Sequence, residues 1–194
     1  MACLGAACLF GLVLIYLTNL QMLVIGLIGI IGSYAYTGEP FVYKRKGLGV
    51  PLSFILMGPL MVYGAYFPFS LKFSWYPIIL ALPATLLIPA MMISNEMRDF
   101  SRDTRLSLGT LSVRIGAGPS RLIYEILVFG AFALVLLFVA IGLYPPYSLL
   151  VLLALPQALK AHRSVSRFER LGIPQTNHLQ WQFTLILALT LIFG

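Results

Sequence analysis

Charge is scarce in this chain: 13 Lys or Arg and 6 Asp or Glu make up 10% of its 194 residues. A soluble domain carries about 25%. With 60% hydrophobic residues and a mean hydropathy of +0.94, the composition excludes a water-soluble globular domain and points to a membrane protein. Cysteine is nearly absent as well. Cys3 and Cys8 have no His or Cys neighbours at metal-ligand spacing, which excludes a disulfide framework and a zinc site; both read as buried thiols. No positive segment precedes the first apolar run and further apolar runs follow it, which argues against a signal peptide. Aromatic-studded basic elements are missing too, so the net charge of +7 does not indicate nucleic acid.

What is present is a series of apolar runs: Ala2–Leu17, Leu20–Tyr36, Leu48–Phe67, Tyr76–Ile93, Leu122–Leu143, Tyr147–Leu159 and Leu179–Gly194. A bilayer span takes roughly 20 apolar residues, and these runs predict an all-α, polytopic bundle of seven transmembrane helices in a single domain over 1–194. The first run is short, and so is the sixth, which contains Pro156. Twelve of the thirteen Lys/Arg fall in alternate connections, with Lys72 alone on the other side. That bias places the three charged connections in the cytoplasm, the N-terminus inside and the C-terminus outside.

The polar residues concentrate in Asn95–Gly116, which holds three of the carboxylates, Glu96, Asp99 and Asp103, beside Arg98, Arg102, Arg105 and Arg114. In a helix, Asn95, Asp99 and Asp103 share one stripe, since each four-residue step overshoots a full turn by only about 40°. Three stacked oxygen-bearing side chains next to arginines can bind a hard cation such as Mg²⁺ and the phosphates it carries. The same spacing also fits a charged loop whose acids pair with neighbouring arginines.

Other features read as follows. Lys44, Arg45 and Lys46 can hold a diphosphate or serve as a topology anchor. Gly26, Gly29 and Gly32 would let a neighbouring helix approach. Gly58-Pro59, Pro83 and Pro89 predict irregular backbone within the membrane, tolerated where it packs on protein or lines a cavity. Arg121 and Glu125 form a surface pair at i,i+4. His162 and His178 have no acidic partner nearby in sequence and read as solvated or packing residues.

The pattern Asn95-x-x-Arg98-Asp99-x-x-x-Asp103, then Gly109-Thr110-Leu111-x-Val113-Arg114-x-Gly116, resembles the second aspartate-rich motif of the UbiA superfamily of membrane prenyltransferases. Tyr36-Thr37-Gly38-x-Pro40 leading into Lys44, then Gly47-Leu48-Gly49 and Gly58-Pro59, resembles the family's tyrosine–lysine motif and the helix after it. The likeness runs from Ser33 to Val113 and is strongest to the 1,4-dihydroxy-2-naphthoate prenyltransferases of menaquinone synthesis. It departs at Ser107 and Leu108, where those relatives carry Gly and Lys; Arg105 is the cation that could compensate.

The resemblance implies a nine-helix fold around a central apolar chamber, of which seven helices are expected here. The two N-terminal helices and the first motif, Asn-Asp-x-x-Asp-x-x-x-Asp, are expected to be missing. It further implies transfer of a polyprenyl group from its diphosphate to an aromatic acceptor, expected to be 1,4-dihydroxy-2-naphthoate. Mg²⁺ would be held by Asp99 and Asp103 with Asn95, and the diphosphate by Lys44, Arg45, Arg98 and Arg105. Tyr36 would stabilise the allylic cation, within a bacterial or archaeal cytoplasmic membrane. With one motif of two, the isolated chain is expected not to turn over. Other acceptors of the same fold (4-hydroxybenzoate, homogentisate, a chlorophyllide, haem or a glycerol phosphate lipid) remain open, as does a non-catalytic membrane protein.

Overall fold

The computed structural model describes the backbone of residues 2–193 and the side chains of Ala7 and residues 9–193. The thiols expected to be buried at Cys3 and Cys8 lie outside the described residues. Helices α1 (Ala2–Leu17) and α2 (Leu20–Thr37) form a hairpin whose turn is capped by the Asn19 side chain, which accepts from the Gln21 N–H at 2.9 Å. A 3₁₀ turn (Tyr43–Lys46) leads into α3 (Gly49–Ile55), a π-helical turn (Leu56–Leu60) and α4 (Met61–Ser70). Next come α5 (Tyr76–Thr85), α6 (Leu87–Arg105), the short α7 (Leu111–Ile115), α8 (Ala117–Ala140), a 3₁₀ segment (Pro146–Ala154), α9 (Leu155–Ser166) and α10 (Gly172–Phe193).

Taken as continuous rods, α3–α4, α5–α6 and the 3₁₀ segment with α9 join α1, α2, α8 and α10 to give the seven bodies that hydropathy predicts. Four of them are long and apolar enough to cross a bilayer: Leu20–Thr37, Gly49–Ser70, Tyr76–Arg105 and Ala117–Ala140. The described residues are helical throughout their regular structure, with no strand. The protein is an integral membrane helix bundle.

The prolines act where their chemistry says they should. Pro89 has no N–H to offer the Thr85 carbonyl, and the break between α5 and α6 falls at Thr85–Leu87. Pro59 likewise releases the Ile55 carbonyl, and the π turn starts at the next residue. The last helix begins earlier than its apolar run. The polar stretch Gly172–His178 continues the helix because Thr176 is buried there and shares a 2.8 Å hydrogen bond with the Tyr124 hydroxyl.

The core sits in the second half of the chain. Tyr124, Val128, Ala131, Val135 and Phe138 recur on α8 at alternating steps of four and three, which stacks them on one face. They meet Leu179, Phe183 and Leu187 of α10 and Ala90, Ile93 and Met97 of α6. By contrast α2 buries no residue. Of its three glycines only Gly32 receives a neighbour, Leu56, whose Cδ1 lies 2.6 Å from where a Cβ would stand. Gly26 and Gly29 face open space.

Candidate functional site

Helix α6 has two working faces. Ile93 and Met97 lock one of them into the core, and the other turns toward α2, the Tyr43–Lys46 turn and α3. There it lines a polar cavity of about 240 Å³ with Met92, Asn95, Glu96, Arg98, Asp99 and Asp103, closed by Tyr36 and Lys44. The structure therefore brings together six of the eight residues singled out from sequence: Tyr36, Lys44, Asn95, Arg98, Asp99 and Asp103. Arg45 and Arg105 are exposed and stand outside the cavity wall. Arg105 instead donates from Nε to the Ser101 carbonyl at 3.3 Å.

The acids are paired with arginines and line the cavity at once. Arg98 grips Asp99 with both Nε (2.9 Å to Oδ1) and Nη2 (2.7 Å to Oδ2). Arg102, which the sequence reading left unassigned, bridges the two aspartates: Nη2 lies 3.2 Å from Asp99 Oδ2 and 3.0 Å from Asp103 Oδ1. Both arginines are substantially exposed. Their exposure leaves the guanidinium groups within reach of another anion. Asn95 donates from Nδ2 to the Met91 carbonyl at 3.1 Å, which leaves its Oδ1 available.

The residue that spacing overlooked is Glu96. It is buried, and its Oε2 accepts from the Ser112 backbone N–H at 2.8 Å, tying α6 to α7. Its Oε1 has no partner among the described residues. A seven-residue step brings a helix back to within about 20° of its starting direction, so Glu96 and Asp103, the two buried acids of α6, share one line. The i,i+4 stripe through Asn95, Asp99 and Asp103 does not include Glu96. The donor set on this face is oxygen alone, the Asp99 and Asp103 carboxylates and the Asn95 amide, which suits Mg²⁺ and its preference for few protein ligands plus phosphate. Among the described residues no three His, Cys, Asp or Glu side chains gather as a ready-made metal cage.

The cationic side is fixed by two close backbone approaches. Gly47 has a left-handed φ of 77°, and a Cβ there would stand 2.7 Å from Arg114 Cδ. A Cβ on Gly109 would collide with the Arg45 carbonyl. Arg114, donating from Nε to the Gly109 carbonyl at 2.9 Å, lies between the two loops and clamps the basic turn against the tail of the acidic segment. Lys44 Nζ rests 5.6 Å from the centre of the Tyr36 ring. Tyr36 stacks edge-on to Tyr43 at 5.4 Å, and burial pushes the Tyr43 phenol up from its ordinary value.

Tyr36 and Met92 also line a second, apolar cavity of about 300 Å³ with Gly29, Ser33, Tyr43, Ser53, Leu56 and Met57. The charged and apolar cavities thus adjoin, with Tyr36 and Met92 as the neck between them. Gly29 and Leu56 continue from there into an outward groove of about 410 Å³ between α2 and α4. Away from this site, the Arg121–Glu125 pair forms as expected, at 3.0 Å. His162 differs from its sequence reading: it is 2.7 Å from Glu125 Oε1, a partner 37 residues away that no local spacing reveals.

Comparison with known proteins gives a consistent result. Residues 1–181 match the UbiA prenyltransferase family. The 1,4-dihydroxy-2-naphthoate octaprenyltransferase of Mycobacterium tuberculosis is 34% identical over 161 residues, covering 83% of this chain and 54% of that protein. The UbiA prenyltransferase domain-containing protein 1 of Mus musculus is 31% identical over 195 aligned positions, covering 100% of this chain and 55% of its own length. A 1,4-dihydroxy-2-naphthoate octaprenyltransferase of Bacillus subtilis is 27% identical over 161 residues. The chain spans about half the length of these relatives, between 52% and 55%. No solved structure matches it.

Proposed function

The chain belongs to the UbiA prenyltransferase family, and from that premise we propose that its charged cavity binds the diphosphate of a polyprenyl diphosphate while the apolar cavity takes the isoprenoid and an aromatic acceptor. The observation that carries this reading is the junction itself: one ring, Tyr36, and one thioether, Met92, wall both the anion-binding and the apolar space. Lys44, Arg98 and Arg102 would turn from their present partners to the diphosphate oxygens, where guanidinium groups offer paired, charge-assisted hydrogen bonds. Asp99 and Asp103, released by those arginines, would hold Mg²⁺ with Asn95 Oδ1. When bound, that ion neutralises charge growing on the leaving diphosphate.

Tyr36 keeps a cation on its π face even at rest, in the form of the Lys44 ammonium. The same face, once Lys44 moves to phosphate, would stabilise an allylic carbocation. The apolar walls around Leu56, Met57 and Met92 would exclude the water that quenches such a cation. The acceptor proposed is 1,4-dihydroxy-2-naphthoate, the compound for which two of the relatives are named. We place the three charged connections at the cytoplasmic face. Because these residues supply one acidic motif, the isolated chain is proposed to bind magnesium diphosphate without turning over.

Titration of the purified chain with Mn²⁺ and pyrophosphate, followed by electron paramagnetic resonance, tests the site. Binding that falls about tenfold or more in Asp99→Asn and Asp103→Asn is expected. Equal binding in the variants would leave the acids as a mere salt-bridge network. Incubation with Mg²⁺, a polyprenyl diphosphate and a panel of acceptors tests turnover, and prenylated product from the chain alone would refute the half-site reading.

A further inference from the structure

The buried, half-used carboxylate of Glu96 has no part in that scheme. Unsatisfied buried polar atoms are rare in folded proteins and costly to keep. Oε2 is committed to Ser112, while Oε1 is unpartnered among the described residues. The residue is set back along α6 from the carboxylates of Asp99 and Asp103, level with Asn95 but turned about 100° from it. Glu96 lies one turn beyond Met92 on the same face and about 10 Å deeper along the axis than Asp103, at 1.5 Å per residue. It therefore borders the neck, where a reacting carbon would sit, and not the outer part of the cavity that receives phosphate.

Beside Oε1 the side chain that Gly49 lacks leaves a gap of methyl size. A Cβ built on Gly49 would stand 3.7 Å from Glu96 Oε1, 3.6 Å from the Tyr36 ring edge and 3.6 Å from the Lys44 Cα. Those are ordinary contact distances, so the missing methyl leaves room for a small group between an aromatic edge and a hydrogen-bond acceptor. An unpartnered carboxylate oxygen is a hydrogen-bond acceptor, so it favours a ligand that carries an O–H over the same ring without one.

We propose that Glu96 is the acceptor-recognition residue of this site, its free Oε1 taking the hydrogen bond of a hydroxyl on the aromatic acceptor in the space beside Gly49. The inference rests on the prenyl-transfer reading above but is separable from it, since it concerns the hydroxyaryl and not the diphosphate. The hydrogen bond orients the ring in the neck and increases electron density on it, which suits a carbon nucleophile.

The test uses the full chain in lipid nanodiscs, with 1-naphthol and 1-methoxynaphthalene as probes and equilibrium dialysis against protein-free nanodiscs as reference. Naphthol is expected to bind the unaltered chain about tenfold more tightly than its methyl ether. Glu96→Gln, which still accepts from Ser112 but turns a donor into the gap, is expected to erase that preference. Gly49→Ala, which fills the space without a clash, is expected to weaken naphthol while the thermal transition holds. Mn²⁺–pyrophosphate binding should be unchanged in Gly49→Ala.

Equal affinity for the two probes in the unaltered chain would overturn the proposal, as would a Glu96→Gln variant that keeps the preference. Loss of Mn²⁺–pyrophosphate binding in Glu96→Gln would also overturn it, by assigning the carboxylate to the cation. Failure of Asp99→Asn to affect Mn²⁺–pyrophosphate would instead count against the diphosphate reading alone.

Discussion

The two halves of this molecule are packed by different rules. From α6 onward, helices meet through interlocked rows such as Val128, Ala131 and Val135 against Phe183 and Leu187, with Phe132 and Phe183 edge to face at 5.0 Å. Around α2, which buries nothing, the neighbouring helices leave cavities. The site lies on the seam. Helix α6 belongs to the dense half through Ile93 and Met97 and presents its acids to the loose half. An acidic face anchored in the core, a basic turn clamped by Arg114 and a loosely packed apolar wall suit a site that must admit a long lipid substrate and hold its charged end.

Four predictions sharpen that contrast. Phe183→Ala, at a fully buried position, should cost about 3–5 kcal/mol. Ile31→Ala, exposed on α2, should stay within about 0.5 kcal/mol. Thermal unfolding in detergent measures both, and similar losses would erase the distinction between the halves. Next, Gly109→Ala forces a methyl onto the Arg45 carbonyl. It should destabilise by about 1–3 kcal/mol and weaken pyrophosphate binding by moving the basic turn; calorimetry with and without pyrophosphate separates the two effects.

Within the basic turn, Lys44→Ala should lower pyrophosphate affinity about tenfold, whereas Arg45→Ala, outside the cavity wall, should leave it nearly unchanged. Isothermal titration would show no loss in either variant if the turn acted only as a topology anchor. The smallest effect is expected at Arg121→Gln. Its exposed pair with Glu125 should contribute less than about 0.5 kcal/mol by the same unfolding assay.

Local chemistry was legible in the sequence wherever a residue acts on its own backbone or its own helix. Apolar run length gave the seven rods, Pro89 and Pro59 marked the helix irregularities, and the Asn95–Asp99–Asp103 spacing put three site residues on one cavity wall. What escaped depends on partners distant in the chain. The Ser112 N–H engages Glu96 across 16 residues, and His162 reaches Glu125 across 37. Arg114 holds the Gly47 and Gly109 loops together only because the fold brings them face to face. The early start of α10 escaped because hydropathy cannot see that Thr176 is buried against Tyr124. Arg45 and Arg105 look the same as Lys44 and Arg98 in composition; only the direction of the helix and turn separates rim from wall.

The most direct measurement is photolabelling of the chain in liposomes with a polyprenyl diphosphate that carries a diazirine near its first isoprene unit, mapped by mass spectrometry. A single substrate site across the seam predicts label on Met92, Tyr36, Met57 or Leu56, lost on competition with pyrophosphate and reduced in Asp99→Asn. Label confined to the outer surface of α10, or indifferent to pyrophosphate and to Asp99, would contradict it.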